Sequence, residues 1–173
     1  MSAQGLDERI RLLQEDFDAS FAKGADEEHS DLPLYLTVTL ATERLALPIT
    51  HVKRLVRGVD VMPLPGSPPH LLGLSSLRGE LIAVYDLPRM FGYGGDRQPT
   101  SNIVVLKGEA FNVGIVVSDI GRLIAVDPER VGAVPRTVPG AIRQIVRGTT
   151  YHEGGLLLFL DLDQLFTQLD ARG

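Results

Sequence analysis

The chain has 173 residues, 44% of them hydrophobic, no cysteine, no tryptophan and a formal net charge of −5. That length supports one domain or two small ones in close contact, and the missing cysteines exclude a disulfide framework, a thiolate metal site and a cysteine nucleophile. No apolar run reaches the roughly 18 residues of a membrane span, so the chain reads as soluble and cytoplasmic, without direct membrane insertion.

The charge is uneven. Residues 1–31 hold nine acids and three basic residues, whereas the remainder is close to neutral at +1. A near-neutral body argues against nucleic-acid binding, which needs a basic face. Within the acidic segment, Leu6, Ile10, Leu13, Phe17 and Phe21 fall within about 80° of one another at about 100° per residue. This predicts an amphipathic helix with one narrow apolar stripe, stopped near Gly24 and followed by an acidic linker. A lone helix of that length is marginal in water, so the stripe must bury against something: its own domain, a second copy or a partner.

From residue 34 the period changes to two. Tyr35 to Leu40 and Arg44 to Ile49 predict a hairpin, and Val52 to Val56 a third strand or a short helical turn leading into one. Pro63, Pro65, Pro68 and Pro69 make Arg57 to His70 an extended loop. Leu71 to Leu77 and Glu80 to Tyr85 form a second hairpin around Arg78-Gly79. Asp86 is placed to cap a short helix through Phe91. Asn102 to Leu106, Phe111 to Val117 and Ile120 to Val126 follow, then a loop over Asp127 to Gly140. Gln144 to His152 and Leu156 to Leu160 form a closing hairpin, and Asp161 caps a last helix through Leu169.

This order is a repeat. Residues 73–91 align with 148–166 at an offset of 75, with Gly73/Gly148, Gly79/Gly154, Asp86/Asp161 and Phe91/Phe166 identical. Residues 49–56 align with 117–124 at an offset of 68, so the second copy carries seven extra residues in its middle loop. About five short strands per copy predict a mainly β fold of two five-stranded SH3-like barrels in tandem with short capping helices. The division follows as an N-terminal extension over 1–31 and a domain over 32–171, with sub-barrels at about 34–95 and 100–170.

No catalytic constellation can be assembled. Gly73-Leu74-Ser75-Ser76-Leu77 lacks the last glycine of a nucleophile elbow, and the four histidines never share metal-ligand spacing. Asp86 and Asp161 are better read as helix caps than as a carboxylate pair. The chain therefore reads as a non-enzyme without cofactor or metal. Arg78 stands out because its repeat equivalent is Glu153: the turn is kept and the charge reversed. A planar five-donor side chain on a tight turn suits a binding or seam-fixing role as well as a plain exposed turn. Lys53, Arg54 and Arg57 add a small basic patch.

At these residues Gly73-Leu74-Ser75-Ser76-Leu77-Arg78-Gly79-Glu80-Leu81-Ile82-Ala83-Val84-Tyr85-Asp86-Leu87 resembles the G-x-x-N-L-R-G-x-x-x-P-x-x-D-L signature of CheW-like domains. The proline-rich stretch from Met62 to His70 precedes it as in that family, and Gly154 to Leu162 is similar to the family's ending. The resemblance covers about residues 34–169. It implies a scaffold that couples the cytoplasmic tips of methyl-accepting chemoreceptors to the regulatory domain of a CheA-type histidine kinase. It implies a protein-binding surface with Val52, Arg54, Leu55, Arg57, Ser76, Arg78 and Gly79, beside the possible helical surface of Leu6, Ile10, Leu13, Phe17 and Phe21. Arg54, Ser76 and Ala83 depart from the family's usual acid, asparagine and proline, and the N-terminal helix is not part of the family's common core; the reversed charge at Arg54 and that helix point to a specialised pathway. Two other readings stay open: a ligand-sensing domain of the same fold, and an adaptor with one interface lost.

Overall fold

The computed structural model describes residues 10–11, 31–92 and 102–172. Among these described residues ten strands form two five-stranded sheets. The first half supplies β1 (Leu34–Leu40), β2 (Glu43–Pro48), β3 (Val52–Val56), β4 (Leu71–Leu77) and β5 (Glu80–Tyr85), then the short helix α1 (Leu87–Met90). The second half supplies β6 (Ile103–Leu106), β7 (Asn112–Val116), β8 (Asp119–Ala125), helix α2 (Gly140–Arg143), β9 (Val146–His152), β10 (Gly155–Leu160) and helix α3 (Leu162–Arg172). The expected five strands per copy are present, and a 3₁₀ turn over Ile49–His51 leads into β3.

The sheets do not follow the division at 34–95 and 100–170. One sheet runs β8-β1-β2-β10-β9 and the other β3-β6-β7-β5-β4. Each copy of the repeat therefore lends its first hairpin to the other copy: β1–β2 joins β8, β9 and β10, and β6–β7 joins β3, β4 and β5. The joins are equivalent. β10 runs parallel to β2 with Leu157 opposite Arg44, and β5 runs parallel to β7 with Ile82 opposite Asn112. Local sequence sets a strand's period and its hairpin, but a parallel neighbour is chosen by tertiary packing alone.

Among the described residues three apolar clusters hold this arrangement. Val56, Leu72, Ile82, Val84, Ile103 and Val105 fill the β3–β7 barrel. Tyr35, Ala46, Leu157 and Phe159 fill the other, with the Tyr35 and Phe159 rings edge to face at 4.9 Å. Ala46 corresponds to Gly114, where an added Cβ would lie 3.0 Å from Ile103 Cγ2. So one barrel packs two aromatic rings beside an alanine, and the other packs aliphatic chains tightly against a glycine. The largest cluster lies outside both and includes Leu36, Leu45, Leu47, Tyr85, Leu87, Ile115, Leu158, Leu160, Leu165 and Leu169.

The repeat's conserved residues are architectural. The Asp86 carboxylate accepts from the Arg89 amide at 3.4 Å and that of Asp161 from the Gln164 amide at 3.1 Å, so both cap helices. Gly73 has φ +146, and a Cβ there would stand 2.0 Å from the Met62 carbonyl oxygen. The proline-rich loop thus lies directly on β4, where Met62 and Leu74 form a β-bridge. Gly132 and Thr149 make the equivalent bridge in the other barrel. The extra residues of the second loop house α2 and bury Val138, Ile142 and Ile145 in the largest cluster.

Ile10 is helical, 9% exposed and part of the same cluster. Leu6, Leu13, Phe17 and Phe21, and the link at 93–101, lie outside the described residues. Among the described residues no helix is long and apolar enough to cross a membrane.

Candidate functional site

Two hairpin tips carry the difference between the copies. At the β4–β5 tip Arg78 and Gly79 have φ +50 and +81; at the β9–β10 tip Glu153 and Gly154 have φ +49 and +77. These are the paired left-handed conformations of a two-residue I′ turn, which matches strand twist. A glycine takes them freely, whereas Arg78 and Glu153 take them at some strain. A charged side chain kept in that conformation on both copies points to a demand on the side chain beyond the turn.

At the β9–β10 tip the demand is internal. Glu153 reaches Arg122 at 3.1 Å and Arg44 at 3.8 Å, and Arg44 Nη1 donates to the His152 carbonyl at 2.8 Å. The equivalents in the other barrel are Arg78 for Glu153, Arg54 for Arg122 and Asn112 for Arg44. There the acid has moved two residues along, to Glu80. Lys53 Nζ donates to both Glu80 carboxylate oxygens, at 2.6 and 2.7 Å, and Asn112 Nδ2 to one of them at 3.2 Å. The Lys53 hydrogen bonds hold the Glu80 pKa below the usual glutamate range against partial burial, with the charges of Lys53 and Arg54 adding to the effect. One carboxylate thus stands among Lys53, Arg54 and, around the turn, Arg78, so this corner is net basic.

A register shift between Val52 and Arg54 explains how β3 presents two successive basic residues. Lys53 and Arg54 are both half-buried, while Val52 and Leu55 are 6% and 3% exposed and belong to the largest cluster. Val52 and Leu55, read from sequence as part of the binding surface, therefore anchor β3 and show little side-chain surface. Arg57, Ser76, Arg78 and Gly79 are exposed. Ser76 pairs across the hairpin with Leu81, which is 58% exposed.

Sequence reasoning missed Glu80, Asn112 and a second feature. A cleft of about 550 Å³ lies between α3 and the β6–β7 turn, lined among others by Tyr85, Phe111, Phe166 and Leu169. Phe111 is 51% exposed at its edge. Burial, and secondarily the charge of Asp170, raise the Tyr85 pKa above the usual tyrosine value, so its hydroxyl stays protonated. The offset alignment could have found the Glu80 corner, because Glu80 falls on Gly155. The cleft has no local signature, since its residues come from four distant segments.

The comparisons with known proteins agree with this architecture. The family model described as CheW-like domain matches residues 34–170. A chemotaxis protein CheW from Treponema pallidum is 30% identical over 143 residues, covering 79% of this chain and 84% of that protein. One from Thermotoga maritima is 21% identical over 137 residues, covering 79% and 89%. The crystal structure of scaffolding protein TtCheW from Thermoanaerobacter tengcongensis has the same fold, with a TM-score of 0.67 at 24% identity over 75% of this chain and 88% of that one. A domain match spanning all ten strands, together with these relatives, places the chain in the CheW-like family of chemotaxis coupling proteins.

Proposed function

We propose that this chain is a non-enzymatic adaptor that couples chemoreceptors to a CheA-type histidine kinase, and that the Arg78 corner is one of its docking faces. The observation that carries the placement is the charge reversal at equivalent strained turns. Glu153 is satisfied by Arg44 and Arg122 of its own barrel. Arg78 is exposed two residues from Glu80, on a net basic corner that also holds Lys53 and Arg54. Such a corner suits an acidic partner surface, and arginine is favoured at interface hot spots. The exposed Ser76 and Leu81 beside it add a small uncharged rim.

The mechanism is geometric. An adaptor of this kind fixes receptor and kinase relative to one another, so that receptor state changes kinase activity. It acts in the cytoplasm, recruited to receptor arrays at the membrane. Single contacts of this size are micromolar, near −8 kcal/mol, and are tightened by multivalent assembly. The test is binding of the purified protein to the kinase regulatory domain and to receptor-bearing membranes. Arg78→Ala lowers affinity for at least one partner by roughly 2 kcal/mol, while thermal melting stays cooperative. Unchanged binding to both partners removes Arg78 from the docking face.

A further inference from the structure

We propose that the cleft between α3 and the β6–β7 turn binds an organic cation: an ammonium or guanidinium group carried on an apolar stem. The proposal stands apart from the adaptor reading, because it uses none of the Arg78 corner.

Three observations carry it. The first is Tyr85. It is 6% exposed and stacks on His70 at 6.0 Å, yet its side chain lines the cleft. Its hydroxyl has no hydrogen-bond partner among the described residues and is not among the sealed polar atoms, so it opens on the cleft. A polar group buried to that degree ordinarily has a partner.

The second is charge. Glu109, Asp163 and Asp170 line the same cleft and form no ion pair among the described residues. The two basic groups of the lining are drawn aside to the 3₁₀ turn. Lys107 Nζ donates to the Thr50 carbonyl at 3.3 Å, and His51 Nδ1 lies 3.1 Å from Thr50 Oγ1. The third is the wall. Phe111 and Phe166 add aromatic surface, and Val113 and Leu169 an apolar floor. Aromatic faces attract cations, and an apolar floor suits a carbon-bearing cation better than a hydrated metal ion. A volume of about 550 Å³ is that of a small-molecule site.

The cation can be a free metabolite or the side chain of a basic residue on a partner protein, and two probes separate these sources. Agmatine, titrated into the full chain by calorimetry, represents the free cation. A helical peptide with one arginine in an otherwise neutral sequence represents the protein-borne one. Saturable binding is expected for at least one probe, with a dissociation constant of about 1 mM or tighter. Tyr85→Phe keeps the ring and removes only the hydroxyl, and weakens binding about 3- to 10-fold. Asp170→Asn, at an exposed position, weakens it by about tenfold and keeps the readout if the tyrosine variant loosens the fold. Peptide binding without agmatine binding assigns the site to a partner side chain. No saturable binding of either probe up to about 20 mM, or equal affinity in the wild type and both variants, overturns the proposal.

Discussion

Lys53 and Glu80 join two strands that share no backbone ladder: the Lys53 ammonium on edge strand β3 lies 2.6 and 2.7 Å from the two carboxylate oxygens at the start of β5. The Glu80 pKa is depressed in the folded state, first by the Lys53 hydrogen bonds. Its contribution is therefore present above the unfolded glutamate pKa of about 4.3 and is lost as pH falls through the lower folded value. The side chain is 42% exposed, so the effect is small. Glu80→Gln should melt below the wild type at pH 7, and the two curves should converge toward pH 3. A difference that persists in acid would show that the pair contributes through shape rather than charge.

Arg78 holds φ +50 where glycine is at ease. Arg78→Gly should leave stability unchanged or raise it by up to about 1 kcal/mol, while partner binding falls as for Arg78→Ala. Chemical denaturation checks the first and binding to kinase and receptor the second. Loss of more than about 1 kcal/mol would make Arg78 a structural residue.

The two glycines shared by the repeat should not respond alike. At Gly73 a Cβ meets the Met62 backbone at 2.0 Å in a left-handed conformation; at Gly148 its nearest neighbour is the Val131 side chain at 2.5 Å. Backbone yields less readily than a side chain. Gly73→Ala should cost about 3 kcal/mol or more, and Gly148→Ala about 1–2. Urea denaturation of both variants decides this, and equal losses would contradict it.

Ile10 is 9% exposed in the largest cluster, although it belongs to the segment that sequence set apart from the domain. Ile10→Ala should lower stability by about 2 kcal/mol. Removal of residues 1–30 should leave one cooperative melting transition at a lower temperature. A truncated protein that melts as the full chain does would mean that the contact contributes nothing.

Much of this was legible in the chain. The caps at Asp86 and Asp161, the turns at Arg78-Gly79 and Glu153-Gly154, and the hairpins each depend on residues within a few positions of one another. The repeat also marked Arg78 against Glu153 as the place where the copies differ. What stayed hidden depends on distant pairing. β5 could not be known to lie beside β7 rather than a strand of its own copy, because equivalent strands carry equivalent patterns. The register shift at Val52/Arg54 turned two expected surface residues inward. The cleft joins Tyr85, Phe111 and Phe166, which no spacing rule connects.

The exchange of first hairpins has a consequence for how the chain is made. Of the ten described strands β1 and β2 leave the ribosome before the others, yet their neighbours β8 and β10 are separated from them by the whole of the other barrel. The barrel that opens the sequence is thus the last to close: the β1 edge of its early hairpin must wait for β8, complete at residue 125, and the β2 edge for β10, complete at residue 160. The unit that was duplicated is not the unit that folds. A graft that trades whole repeats between relatives would carry away half of each barrel, whereas a productive chimera has to follow the sheets.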